Sequence, residues 1–248
     1  AAKLVDKAKS EFVSVASHQL RTPLSIINWY LELLESGDSG VLDTEQRTFV
    51  EEIAKSSKRM VMLVNTLLDV SRLELGSLKL DEKLTDVSAV VAHAVNELHY
   101  KVEEQKLKVI TEFAKIPKIF LDDRHFESVV QNIFANALKY TPEGGEVRLR
   151  VVESAAGETF GGKKLSQASI AVEISDTGYG IPKQQQDKIF DKFFRADNVL
   201  DKDEPGTGLG LYIAKSVIEA MGGNIWFVSR EGKGSTFYIT VPKRTENK

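Results

Sequence analysis

The sequence predicts a two-domain α+β fold, a long helical hairpin over residues 1–79 followed by an α/β sandwich over residues 80–248. Apolar residues recur at steps of three and four from Leu4 to about Glu35, and again from Phe49 to Val70, which is the period of helices. A breaker cluster, Ser36-Gly37-Asp38-Ser39-Gly40, separates the two runs. After Leu75-Gly76-Ser77-Leu78 the pattern changes, and strand-like stretches begin to alternate with helix-like ones.

In the first helix the apolar positions are Val5, Ala8, Phe12, Val15, Ile26, Tyr30 and Leu33. Pro23 lies inside it and predicts a kink, because proline lacks an amide hydrogen and crowds the preceding turn. Asp43 with Gln46 three residues on predicts a capping box at the start of the second helix. That helix carries Phe49, Ile53, Ser56, Met60, Leu63, Leu67 and Val70 as a heptad seam. Two helices alone bury little apolar surface. Pairing two hairpins into a four-helix bundle buries both seams, so the hairpin predicts a homodimer, the alternative being an intramolecular helical pair packed on the second domain.

Beyond the hairpin, helices are expected at 87–105, 123–140 and 209–221, and strands at 109–113, 146–152, 170–175, 224–229 and 235–241. There is no strict βαβ repeat, so the sheet should be largely antiparallel or mixed. Residues 157–169 read as a polar hairpin loop, and the polar tail from Lys243 to Lys248 as frayed.

Bulk properties narrow the function. Hydrophobic content of 42% and charged content of 28% belong to a folded globular chain. A formal net charge of −3 leaves no basic excess for a nucleic-acid backbone. No apolar run approaches the roughly 20 residues that span a bilayer, so no membrane contact is expected of this segment. Without cysteine there is no disulfide or thiolate metal site, and His18, His93, His99 and His125 lack zinc-ligand spacing.

Four motifs carry chemistry. The first is Ser17-His18-Gln19-Leu20-Arg21-Thr22-Pro23-Leu24. At about 100° per residue, His18 lies about 120° from the middle of the stripe formed by Phe12, Val15, Ala16, Gln19, Pro23, Ile26 and Tyr30. Its imidazole therefore projects from a flank, with Thr22 one turn further along. A lone surface histidine is ordinarily a solvated polar residue, and only its context gives it more. The second motif places Asn132 and Asn136 one turn apart on one helix face, followed by Lys139 and Tyr140. A neutral amide oxygen suits magnesium that keeps waters and phosphate oxygens, a lysine approaches phosphates, and a tyrosine flanks a base or ribose. Most such asparagine pairs are caps or surface polar residues.

In the third motif Asp176 ends the apolar run 170–174, and Gly178 and Gly180 let the backbone turn and approach a flat ring. A carboxylate there accepts a hydrogen bond from an exocyclic amine and so favours adenine over guanine, although a bare Asp-x-Gly is usually an ordinary turn. The fourth, Gly206-Thr207-Gly208-Leu209-Gly210-Leu211, opens a helix whose first amides can surround an anion. A dinucleotide site would need a strand directly before it, whereas the polar stretch 196–205 reads as a lid. Phe190, Phe193 and Phe194 are expected to be core residues anchoring that lid, with Arg195 a γ-phosphate contact. Gly232-Lys233-Gly234-Ser235-Thr236-Phe237 is assigned mainly structure.

In this order and over nearly the whole chain, the motifs resemble the catalytic core of sensor histidine kinases of two-component systems. The resemblance implies a dimerisation and phosphoacceptor domain over 1–79 and a Bergerat-type ATP-binding domain over 80–248. It implies that His18 attacks the γ-phosphate of ATP, that Asn136 is the Mg2+ ligand, and that Asn132 assists phosphoryl transfer. Lys139, Tyr140, Asp176, Gly178, Gly180 and Ile181 would hold the nucleotide from one side. Arg195, Gly206, Thr207, Gly208, Leu209 and Gly210 would hold it from the other. It implies onward transfer to an aspartate of a response regulator receiver domain, and a reverse phosphatase activity in which Thr22 orients water.

One position departs from the family pattern, for Gln19 stands where the residue after the histidine is commonly acidic. That opens an alternative, a phosphatase-dominant or non-catalytic ATP-binding signalling scaffold. A relative of the gyrase, mismatch-repair and chaperone ATPases is a second rival, but it would place a glutamate near Asn132, and Glu127 lies more than a turn earlier. The start at Ala1, already in helical pattern, reads as a cytoplasmic fragment whose upstream sensor domain is left off.

Overall fold

A computed structural model of the chain describes residues 2–37, 40–74, 78–197 and 207–245. It divides into two compact units, Ala1–Leu78 and Lys79–Lys248. No helix of the described residues is long and apolar enough to cross a membrane.

The first unit is a pair of helices, α1 (Ala2–Ser36) and α2 (Thr44–Glu74). α1 continues through Pro23 as a single helix. α2 opens with the expected capping box: Asp43 N donates to Gln46 Oε1 at 3.1 Å, and Gln46 N donates to Asp43 Oδ1 at 2.8 Å. This reciprocal pair satisfies two amides that have no partner inside a helix. Among the described residues, those buried in the hairpin are Leu24 and Leu31 of α1 and Val50, Ala54 and Ser57 of α2, with Leu42 of the connection packed against Leu31, Val50 and Ala54. Phe49, Ile53 and Met60 of the expected seam are exposed, as are Ile26 and Tyr30 on α1. Each helix thus has an intrachain stripe and a second apolar stripe that this chain alone leaves uncovered. The side chains of Leu63, Leu67 and Val70 lie outside the described residues.

The second unit is built on a five-stranded sheet. Its elements are β1 (Lys83–Thr85), α3 (Val87–Glu97), α4 (His99–Glu104), β2 (Lys108–Phe113), β3 (Ile119–Leu121) and α5 (Asp123–Tyr140). They continue with β4 (Glu146–Ser154), β5 (Thr159–Phe160), β6 (Lys163–Lys164), β7 (Ser169–Asp176), the 3₁₀ turn Lys183–Lys188, α6 (Gly210–Ala220), β8 (Asn224–Arg230) and β9 (Gly234–Pro242). The strand order is β2-β4-β7-β9-β8, with β2 parallel to β4 and every other pair antiparallel. Strand alternation turns Val147, Leu149, Val151, Ile170, Val172 and Ile174 inward, where they are fully buried. α5 packs on β7, α6 on β8 and β9, and α3 on α5, so a helical layer covers one face of the sheet.

Three expectations change. The single helix expected over 87–105 breaks at Leu98 (φ −103, ψ 11), whose amide bonds back only three residues to Val95 O at 3.3 Å. Residues 157–169 are not merely a polar loop. They fold as the β5–β6 hairpin, which buries Phe160 and Leu165 and sets Phe160 edge-on to Trp226 and Tyr238. Trp226 Nε1 donates to Gly161 O at 3.0 Å. Gly161 (φ 53) lies where a Cβ would be 2.6 Å from the Tyr238 ring, so a side chain there has no room. The start of the tail is also anchored. Lys243 N bonds Ala168 O at 2.9 Å, Phe120 N bonds Arg244 O at 2.8 Å, and Arg244 pairs with Glu82 at 3.0 Å.

α5 owes its position to a buried cap. Asp122 is 2% exposed. Its Oδ1 accepts from His125 N at 3.0 Å, and its Oδ2 accepts from Asp81 N at 2.7 Å and lies 2.8 Å from His125 Nδ1. Burial pushes the carboxyl up, but the two amides and the imidazole outweigh it and hold the group below the usual carboxylate range. A depressed folded-state value means the stabilisation is present above the unfolded carboxyl value and lost as pH falls through the folded one. Asp122→Ala should therefore lower stability at pH 7 by about 1–3 kcal/mol. Urea unfolding at pH 7 and pH 3 checks this: the gap between variant and parent should shrink at the lower pH, and a gap independent of pH contradicts it.

Candidate functional site

The expected nucleotide residues of the second unit converge from α5, the end of β7 and the start of α6. On α5, Phe126, Val130, Ile133, Phe134, Ala137 and Leu138 are buried, which leaves Asn132 and Asn136 half-buried on the other side of the helix. A Cβ on Gly210 would stand 3.0 Å from Asn132 Oδ1, so the first turn of α6 abuts the asparagine face. α6 is turned into this place by Gly208 (φ 67), where a Cβ would lie 2.6 Å from the Phe193 carbonyl carbon. Thr207 Oγ1 accepts from Leu209 N at 3.2 Å, and Leu209 is buried. The start of α6 thus lies beside the Asn132 side chain of α5. This arrangement suits an anion.

β7 delivers Asp176 to its C-terminal end, 9% exposed. Oδ1 accepts from Gly178 N at 2.8 Å and from Ser235 N at 3.2 Å, while Oδ2 has no partner among the described residues. Burial pushes this carboxyl above the usual range, and the two amide hydrogen bonds only partly offset it. The loop after it is drawn against the end of α5: Tyr179 N donates to Tyr140 O at 3.1 Å, and a Cβ on Gly178 would overlap that same carbonyl. Lys139 Nζ lies 5.4 Å from the Tyr140 ring centroid, which puts a cation and an aromatic together at this corner.

The segment after the adenine-type loop is partly as expected. Phe190 is half-buried and edge-on to Phe227 at 6.0 Å, and Phe194 is half-buried. Phe193 is a correction. It is 64% exposed, on a left-handed backbone (φ 63) against which Gly208 packs closely, so its ring does not join the core. Arg195 is half-buried. Gly206 and positions 198–205 of the expected lid lie outside the described residues.

In the first unit His18 lies within α1, and its side chain is outside the described residues. Gln19 and Thr22 are exposed. Sequence reasoning missed Ser229, Ser235 and Gln186, which bond to the Asp176–Ile181 loop. The Gly-x-Gly-Ser of the β8–β9 turn was the available signal for Ser235, and Ser229 and Gln186 had none.

The donor set fits magnesium carried on a nucleotide. Among the described residues no group of three histidine, aspartate or glutamate side chains could hold a metal ion. The half-buried Asn136 and Asn132 instead supply neutral hard oxygens beside the α6 amides, the kind of partial ligand set that leaves positions for waters and phosphates.

Known proteins resemble this chain over both units. The His kinase A phospho-acceptor domain matches residues 8–76, and the family of histidine kinase-, DNA gyrase B- and HSP90-like ATPases matches residues 121–245. The chain is 33% identical over 243 residues to the sensor histidine kinase WalK of Bacillus subtilis (strain 168), covering 98% of this chain and 38% of WalK. It is 30% identical over 247 residues to the circadian input-output histidine kinase CikA of Synechococcus elongatus, covering 98% of this chain and 31% of CikA. The chain therefore spans well under half of these relatives. Among solved structures it is similar to full-length ShkA in complex with AMPPNP, with TM-score 0.79 and 25% identity over 96% of this chain and 47% of ShkA. It shares its fold with the histidine kinase AdeS of Acinetobacter baumannii, with TM-score 0.62 and 23% identity over 91% of this chain and 98% of that one. The chain belongs to the sensor histidine kinases, a family of ATP-dependent phosphotransferases in which a phospho-acceptor domain precedes a histidine kinase-type ATPase domain.

Proposed function

We propose that the chain is a histidine kinase core that transfers the γ-phosphate of ATP to His18 and passes it to an aspartate of a response regulator receiver domain. The observation that carries the reading is that α5 has the start of α6 packed against it at Asn132 and the Asp176 loop drawn against it at Tyr140, with one oxygen of the Asp176 carboxylate left for a ligand. A nucleotide laid there has its base at Asp176 and its phosphates at α6. Asp176 Oδ2 accepts from the adenine exocyclic amine. Gly178, Gly180 and Ile181 approach the ring, and Tyr140 flanks it. Lys139, Arg195 and the amides of residues 206–210 hold the phosphates. Magnesium bound through Asn136 supplies charge neutralisation on the phosphate oxygens. Asn132 orients the transferred group from the adjacent turn.

In the transfer, the lone pair of His18 Nε2 forms a bond to the γ-phosphorus, the bond to the bridging oxygen breaks, and ADP leaves. The imidazole becomes cationic, and its Nδ1 proton is then stabilised or lost. Most of the catalysis in such a step is positioning and electrostatics, which is why the roles fall on Arg195, Lys139 and the α6 amides rather than on a covalent participant of the second unit. Thr22, exposed one turn beyond His18, orients water in the reverse phosphatase reaction. A homodimer is supported by the second apolar stripe of each helix, Ile26 and Tyr30 on α1 and Phe49, Ile53 and Met60 on α2, which a second copy pairing at the hairpin would cover. Light scattering of the intact chain at micromolar concentration should give a dimer, and a monomer would contradict the bundle.

The alternative, a phosphatase-dominant or non-catalytic scaffold, rests on Gln19. A glutamine carbonyl accepts the Nδ1 hydrogen bond but neither takes the proton nor neutralises the growing charge. Gln19→Glu should therefore accelerate phosphohistidine formation. General-base groups contribute about 10²–10⁴-fold. The gain here should be about tenfold, since water also accepts the proton and domain movement shares the rate limit. The assay is the initial rate with γ-labelled ATP at saturation, run with and without a divalent-cation chelator. Chelation should abolish labelling in both proteins. A rate for Gln19→Glu equal to or below the parent's removes the handicap assigned to Gln19, and no labelling in either protein favours the scaffold.

A further inference from the structure

The β8–β9 turn, with its Gly232-Lys233-Gly234-Ser235 motif, and the end of β8 before it are bonded directly to the base-recognition loop at three points, and Gln186 of the 3₁₀ turn adds a bridge. Gly232 N donates to Tyr179 O at 2.7 Å, and Ser235 N donates to Asp176 Oδ1 at 3.2 Å. Ile181 is held by both of its backbone groups: its amide donates to Ser229 Oγ at 2.9 Å, and its carbonyl accepts from Gln186 Nε2 at 3.0 Å. Gln186 Nε2 also donates to Ser229 O at 3.1 Å, so the same side chain joins the loop to β8. The approach is too close for side chains, since a Cβ on Gly180 would overlap Arg230 O and one on Gly234 would overlap Asp176 O.

Ser229 is the centre of this arrangement. Its hydroxyl has one proton. Having accepted from Ile181 N, it has Gly234 O at 3.1 Å and Ser235 Oγ at 2.9 Å as the acceptors for that proton. One side chain therefore ties Ile181 on one side of the base to the strand end whose amide fixes Asp176 on the other. The loop could lose its register against Asp176 without unfolding, because β8 and β9 are paired independently of it from Asn224 opposite Thr240 to Arg230 opposite Gly234.

We propose that Ser229 is a positioning residue for base selection, holding Ile181 and Asp176 in register so that the site prefers a base with an exocyclic amine; this rests on the nucleotide reading above. Ser229→Ala leaves the Ile181 amide unpaired and frees the loop. ATP affinity should fall about five- to tenfold. Inosine triphosphate, whose base has a carbonyl in place of the amine, should lose much less. Ser229→Thr keeps the hydroxyl and should restore most of the preference. Gln186→Ala removes the other hold on Ile181 and should shift the preference the same way, and it decides the matter should Ser229→Ala fail to fold.

The experiment is competition binding of ATP and inosine triphosphate to the intact parent chain and the three variants, with thermal midpoints measured alongside. A collapse of the ATP preference in Ser229→Ala or Gln186→Ala, with recovery in Ser229→Thr, supports the assignment. An unchanged preference in both alanine variants, or an equal loss of both nucleotides, overturns it and leaves the nucleotide reading standing. A parent chain with no preference for ATP defeats the nucleotide reading itself.

Discussion

His18→Ala should abolish covalent labelling from γ-labelled ATP while leaving ATP affinity nearly unchanged. The proposed acceptor is carried by α1 of the first unit, whereas Asn132, Asp176 and the α6 entry belong to the second. A change confined to the acceptor removes the nucleophile and none of the groups assigned to binding. The expected loss in labelling is complete, because no other histidine shares this context: His93, His99 and His125 all lie in the second unit, paired with Glu127, Glu103 and Asp122. Calorimetric ATP binding and labelling, measured on the same preparation, check both halves. Label persisting at another residue would sink the acceptor assignment. Lost affinity together with lost label would show that His18 supports the fold or the nucleotide site instead.

Asp176→Asn should weaken ATP binding by roughly ten- to a hundredfold, the equivalent of losing one charge-assisted hydrogen bond of about 1.5–3 kcal/mol. The amides of Gly178 and Ser235 both donate to Oδ1, and an amide side chain can keep its oxygen there only by turning its NH2 toward the ligand. The exocyclic amine then meets a donor where it needs an acceptor. The raised carboxyl adds a pH signature. Proton uptake by Asp176 as pH falls weakens its acceptor, so adenosine affinity should decline on the acid side in the parent and be flat in Asp176→Asn. Equal ATP affinity in the two proteins at neutral pH would remove Asp176 from the site.

What could be read from the sequence was local. The Asp43–Gln46 box sits three residues apart and forms as expected, because caps depend on neighbouring residues only. α5 and α6 were legible from their apolar faces and glycine entry, and β7 and β9 from short runs rich in β-branched and aromatic residues. The break at Leu98 was not, since no glycine or proline marks it and the sequence 87–105 keeps helical period through it. β1 and β3 are three residues each, too short for any period to show. The β5–β6 hairpin was hidden by its polar composition, and only contact with Trp226 and Tyr238, far along the chain, explains why Phe160 is buried. Phe193 looked like core because aromatic residues usually are, and neither its left-handed backbone nor the close packing of Gly208, fifteen positions on, is marked in the local sequence. Ser229 and Gln186 were invisible for a related reason: Ser229 reaches the loop across 48 positions, and no motif flags either residue.

The most direct test of the central claim is the chemistry of the label. The intact parent chain is incubated with γ-labelled ATP and magnesium, split into acid and alkali, and digested for peptide mapping by mass spectrometry. A phosphohistidine account predicts label that survives alkali, is lost in acid, and maps to the peptide bearing His18. Release of inorganic phosphate with no covalent label, or label that survives acid and maps elsewhere, would contradict it.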